Sequence, residues 1–147
     1  MKYESTGKLS YKNSTWISLI IDNELVKYYR STVFAKDGMQ IPMHGAHITV
    51  VNGNWEVVPN RELWNKYEGE NVTFSYDGDV KLVRGTWFMY CNSPRIEEIR
   101  VELGLTSVFA NRPLHFTIGK IPKSKVQREQ TKLWQKQSRD SQKKALS

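Results

Sequence analysis

Two short segments constrain this chain more than any other feature: His47-Ile48-Thr49-Val50-Val51 and His115-Phe116-Thr117-Ile118-Gly119. Both are rich in β-branched and aromatic residues, the composition of a strand. Residues two apart on a strand share a face. His47 and Thr49 therefore point one way, and Ile48 and Val50 the other. His115 and Thr117 are set against Phe116 and Ile118 in the same manner. Each segment offers an imidazole and a hydroxyl on one face and an apolar back on the other. The chain holds three histidines, and two of them occupy this motif.

The surroundings of the two segments repeat as well. A strand at 16–21 leads to a helix over about 23–32, capped by Asp22 or Asn23, and then to a strand at 46–51. A strand at about 83–90, a helix at 94–103 and a strand at 114–121 repeat that order. The second helix opens on Ser93-Pro94 and stops at Gly104. Lys36-Asp37-Gly38 reads as a turn. Between the halves lie a short helix near 61–67, a strand at 71–76, a hairpin turn at Tyr76-Asp77-Gly78-Asp79, and a long strand over 80–91. The pattern predicts an α+β domain over residues 1–121. Its two pseudo-symmetric strand–helix–strand lobes, about 1–58 and 59–121, would carry antiparallel sheets around a central cleft in which the motifs meet.

With 147 residues, 39% of them hydrophobic, the chain can build one core. No apolar run approaches the ~20 residues that cross a bilayer, and the polar opening residues lack a signal-peptide core. A membrane partner is therefore not expected. The single cysteine, Cys91, forms no internal disulfide and builds no thiolate metal site, which fits a cytoplasmic setting. Residues 1–119 carry 13 basic and 13 acidic side chains, so the net charge of +7 resides in residues 120–147, with 9 basic against 2 acidic. Residues 122–147 read as a basic extension that attracts polyanions or simply keeps the protein soluble.

Two imidazoles on one face suit phosphate chemistry. Their ordinary pKa of ~6.5 lets one accept a proton while the other donates one. Threonine hydroxyls can donate to the non-bridging oxygens, where charge builds. A two- or three-histidine metal site is the rival reading. No carboxylate sits at a ligand spacing beside either motif, so no metal or other cofactor is expected. His44, after Pro42, is read as a loop residue.

The paired motifs His47-Ile-Thr49 and His115-Phe-Thr117 resemble those of the two-histidine phosphoesterase superfamily, whose fold is LigT-like. The resemblance covers residues 14–121. It implies the bilobal fold above and metal-independent attack on phosphodiesters, with His47 and His115 as the acid–base pair and Thr49 and Thr117 as phosphate binders. Within the superfamily, the compact chain and the polar lead-in Gly7-Lys8-Leu9-Ser10-Tyr11 are similar to the bacteriophage anti-CBASS nucleases. That likeness implies a hydrolase that degrades cyclic di- and trinucleotide immune signals in the host cytoplasm. The alternatives are a 2′,3′-cyclic phosphodiesterase or 2′-5′ RNA-end processing enzyme, and a non-catalytic RNA- or nucleotide-binding module. The sequence leaves RNA and self-association open. Tyr11, before the first expected strand, and Tyr76, beside the expected turn, are the candidates to stack on a nucleobase. Lys8, Lys12 and Arg112 are basic residues that could contact a phosphate, and the sequence singles out none of them.

Overall fold

The computed structural model describes residues 1–33, 45–110 and 112–121. The turn expected at 36–38, His44 and the basic extension lie outside the described residues. Six strands are formed: β1 (Tyr3–Lys12), β2 (Trp16–Ile20), β3 (His47–Val51), β4 (Asn71–Val83), β5 (Thr86–Asn92) and β6 (His115–Lys120). Helix α1 (Asn23–Thr32) follows β2, and α2 (Pro94–Glu102) follows β5. A 3₁₀ helix spans Arg61–Tyr67. Among the described residues no helix is long and apolar enough to cross a membrane.

The strands close into one antiparallel barrel in the order β1-β2-β3-β6-β5-β4. The expected bilobal arrangement, two strand–helix–strand lobes around a central cleft, does not form. The strand missing from that expectation is β1, which pairs with both β2 and β4 and so removes the edge each lobe would have had. Its inward side holds Gly7 and Leu9, with Tyr11 packed against the core. Only one of these is a strong aliphatic, so the apolar alternation is faint. Gly7 is small for a reason: a Cβ there would meet the Ile20 carbonyl at 2.6 Å and the Leu19 side chain at 2.7 Å.

The hairpin expected at Asp77-Gly78 is also corrected. Tyr76 pairs with Cys91 and Val80 with Met89, so three residues of β4 oppose one of β5. The segment is a bulge within β4, with Gly78 at φ +81°. The chain turns instead at Arg84-Gly85, between the paired Val83 and Thr86. Both turn residues have positive φ, 50° and 78°, as in a type I′ turn.

The strand order is unchanged when β1, β2 and β3 exchange places with β4, β5 and β6. Each half is a hairpin, a helix and a strand, and the halves join at the β3–β6 and β1–β4 seams. The helices begin on side-chain caps: Asp22 accepts from the Glu24 amide (2.9 Å), and Ser93 accepts from the Ile96 amide (3.3 Å) ahead of Pro94. Each helix then packs on the other half's motif strand, α1 on β6 and α2 on β3 and β4. Leu9, Leu19, Ile48, Phe74, Phe116 and Ile118 from the strands merge with Val26 of α1 and Ile96 and Ile99 of α2 into one core.

Arg100 of α2 has no exposed surface. Its guanidinium donates to the Val50 carbonyl of β3 (2.7 Å), to the Thr106 carbonyl (2.8 Å) and to both oxygens of Glu56 (2.9 and 2.6 Å). The group also lies 4.1 Å from the Phe109 ring centroid. Removing one member of such a buried pair strands the other charge, whereas replacing both does not. Arg100→Ala should therefore lower the unfolding free energy in urea by about 3–5 kcal/mol. The double variant Arg100→Met, Glu56→Gln should recover much of that loss. Equal losses in both variants would show that the charge pairing is not what matters.

Candidate active site

The site is built on the β3–β6 seam. Ile48 of β3 is the partner of Phe116 of β6, and the strands are antiparallel. His47 therefore stands opposite Thr117, and Thr49 opposite His115. The two histidines are diagonal neighbours, roughly 7–8 Å apart across the ladder. Ile48, Val50, Phe116 and Ile118 are buried, while His47, Thr49, His115 and Thr117 are all half-buried on the opposite, outer face. The four expected catalytic residues are thus brought together, side by side on one barrel wall rather than across a cleft.

The flanking strands extend this face into two rows. Ile20 of β2 pairs with His47, and Phe88 of β5 pairs with Thr117. Ser18 pairs with Thr49, and Tyr90 pairs with His115. Phe88 is buried, yet it is not part of the core. It is covered from the outside by the His115 ring, 5.8 Å away, by Tyr90 at 5.1 Å, and by the Arg112 guanidinium at 5.9 Å. It forms an apolar floor beside the motif.

The two imidazoles are anchored alike. His47 Nδ1 lies 2.9 Å from the Gly45 carbonyl, and His115 Nδ1 lies 3.1 Å from the Pro113 carbonyl. Each acceptor is two residues upstream. A carbonyl oxygen only accepts, so in both rings Nδ1 carries the hydrogen and the lone pair of the neutral ring lies on Nε2. Arg112 Nη1 donates to His115 Nε2 at 3.3 Å, which agrees with that tautomer.

The backbones behind the motifs are held alike as well. Arg30 of α1 donates to the Ile118 carbonyl (3.2 Å), as Arg100 of α2 does to the Val50 carbonyl (2.7 Å). Val50 and Ile118 each follow the motif threonine, so each helix braces the opposite half's strand at the same place. The sequence signal was an arginine in the last turn of both helices, and it became legible only once the helices were seen to cross over.

Tyr11 and Tyr76 are not brought to this face. Tyr76 sits in the core against Phe74 and Phe116, with ring centroids 5.9 and 6.1 Å away. Tyr11 packs edge-on against Trp64 at 5.2 Å. Of the basic residues noted in the sequence, Arg112 reaches the site. Sequence reasoning missed Phe88, Tyr90, Arg84 and Lys120. The first two were detectable only through the β5–β6 register. Arg84 and Lys120 help line a pocket of about 270 Å³ that also takes in Phe88, Arg112, His115 and Thr117. Among the described residues no group of three or more His, Cys, Asp or Glu is gathered to hold a metal. Comparison with family models, curated proteins and solved structures returns no match.

Burial holds the His115 pKa below its ordinary value of 6.5, and the charge of Arg112 and the neighbouring His47 push it the same way, against the opposing pull of the Pro113 carbonyl. The unfolded chain therefore binds a proton at His115 more readily than the folded chain does. This contribution to stability is full above pH ~6.5 and is lost as pH falls through the folded midpoint. An NMR titration should place the His115 midpoint below 6.5, and Arg112→Ala should raise it. A midpoint at or above the ordinary value would show that desolvation does not govern this ring.

Proposed function

We propose that this protein is a metal-independent phosphodiesterase acting on ribonucleotides. The observation that carries the reading is the mirrored pair of Nδ1–H···O=C bonds. They present two Nε2 atoms on one face, each beside a threonine hydroxyl. A phosphoryl group seated between the imidazoles would receive hydrogen bonds from Thr49 and Thr117 on its non-bridging oxygens. His115, held neutral, is assigned as the base. Its Nε2 accepts the proton of a ribose 2′-OH as that oxygen bonds to phosphorus. His47 in its protonated form delivers a proton from Nε2 to the departing 5′ oxygen as the P–O5′ bond breaks. The product carries a 2′,3′-cyclic phosphate, and water can open it with the two roles reversed.

Arg112 has a part in this scheme. In the free protein it donates to His115 Nε2. A phosphate oxygen is a stronger acceptor for guanidinium than an imidazole, so substrate would draw Arg112 away and free the base. Small cyclic di- and trinucleotides, the substrates implied by the resemblance to anti-CBASS nucleases, are the proposed substrate class. The four motif side chains are half-buried, and the adjoining pocket is about 270 Å³.

Turnover of cyclic dinucleotides should persist in excess EDTA. His47→Ala and His115→Ala should each lower kcat by at least ~10²-fold without loss of fold. Cyclic dinucleotides lacking the 2′-OH should bind but resist cleavage. Loss of activity on chelation, restored by one divalent metal, would defeat the scheme, and so would near wild-type turnover by either histidine variant. Binding of all ligands with cleavage of none would point instead to a nucleotide-binding module.

A further inference from the structure

We infer that the pocket beside His115 binds a second phosphate of the substrate, distinct from the one between the histidines, so that ligands with two phosphates are selected over those with one. The inference rests on the proposed function for the position of the first phosphate. Three cations from three separate segments converge on this pocket: Arg84 from the β4–β5 turn, Arg112 from the approach to β6, and Lys120 from its end. Val83, Thr86, Phe88, His115 and Thr117 complete the lining. None of the lining residues is acidic, and none of the three cations has a carboxylate partner among the described residues. Cations gathered without a counter-charge repel one another, and a bound anion offsets that cost.

The backbone at Arg84 supplies a second observation. It sits at φ 50°, at the first central position of the two-residue turn. Asparagine, aspartate or glycine suits that position, and an arginine there is strained. The strained residue is also one of the three cations that line the pocket. The two phosphate positions adjoin, with His115 and Thr117 on their common border. The histidines and threonines of the first lie on β3 and β6. The second lies toward β5 and the hairpin tip, where Thr86 is paired with Lys120 and Phe88 with Thr117. The lateral offset is about one strand spacing, roughly 5 Å. That is comparable with the gap between neighbouring phosphates on a ribose–phosphate backbone.

The test measures binding by the full chain with 2′-deoxy ligands, which the proposed chemistry cannot cleave. The probes are a cyclic dideoxydinucleotide, a linear deoxydinucleotide with a 5′-terminal phosphate, and a 3′,5′-cyclic deoxymononucleotide bearing one phosphate. Wild type should prefer each two-phosphate ligand by about 10-fold or more. The stronger of the two identifies the source of the second phosphate as an internal diester or a terminal monoester. Arg84→Asn, which relaxes the turn, should keep or raise Tm while abolishing the preference. Lys120→Ala should reduce it, with the one-phosphate ligand unaffected in both variants. Equal wild-type affinity for one- and two-phosphate ligands, or an unchanged preference in Arg84→Asn, would overturn the inference. If the preference behaves as expected but no ribonucleotide is cleaved, the proposed catalysis fails and the pocket stands. If cleavage proceeds and Arg84→Asn retains the wild-type KM, the pocket fails and the catalysis stands.

Discussion

The pairing of Ile48 with Phe116 is the contact on which the rest of this structure depends. It joins the two halves of the barrel at the β3–β6 seam, and both side chains are fully buried. Because side chains alternate along a strand, a slip of one residue on either strand would drive a histidine and a threonine into the core and expose two large apolar groups. Register here is therefore fixed by the hydrophobic effect, and the placement of four polar side chains on one outer patch follows from it. The core specifies the site without touching it.

A seam with one paired register position needs support from behind, and the helices give it crosswise. Arg30 holds the carbonyl after Thr117, and Arg100 holds the carbonyl after Thr49. The supports match in position and differ in depth. Arg100 is wholly enclosed and paired with Glu56, whereas Arg30 is only half-buried. The same contrast holds on the outer face. Beside β6 stand Phe88 and Tyr90, but the corresponding places beside β3 are Ser18 and Ile20. The mirrored frame supplies two equivalent imidazoles, and the unequal surroundings make them inequivalent. Desolvation and Arg112 act on His115 and hold its pKa below the ordinary value, which suits the acceptor role proposed for it. The proposed division into acid and base would thus arise from neighbours that break a symmetry of the backbone.

The sequence made the faces legible and left the partners hidden. In His47-Ile48-Thr49-Val50 the alternation alone separates core from surface, and the same holds for residues 115–118. Nothing in either stretch says which strand lies alongside. The reading as two lobes around a cleft followed from treating each strand–helix–strand unit as self-contained, and β1 was the piece that undid it. With Gly7 and Tyr11 flanking a lone Leu9, its inward row reads as polar. Asp77-Gly78 has the chemistry of a hairpin turn, and the left-handed glycine is present, but it serves a bulge. The actual turn, Arg84-Gly85, was obscured by an arginine in a position that local preference assigns to asparagine. Tyr76 was expected near a rim because of that misplaced turn. It lies before the bulge, on the inward row of β4 with Val72 and Phe74, and packs instead against Phe116.

The imidazole anchors answer a different requirement. The proposed proton transfers need the ring nitrogen held within a narrow range of positions, and an unanchored ring on a sheet face would otherwise sample several rotamers. Here the anchor is taken from the chain itself two residues before each histidine, so it does not depend on side chains from distant elements. On the β3 side the carbonyl belongs to Gly45, at φ +77°. On the β6 side it belongs to Pro113, whose ring fixes φ. Glycine reaches a conformation closed to other residues, and proline removes the freedom to leave one. Opposite backbone devices thus deliver the same hydrogen bond, and with it the same Nε2 lone pair, at both ends of the motif pair.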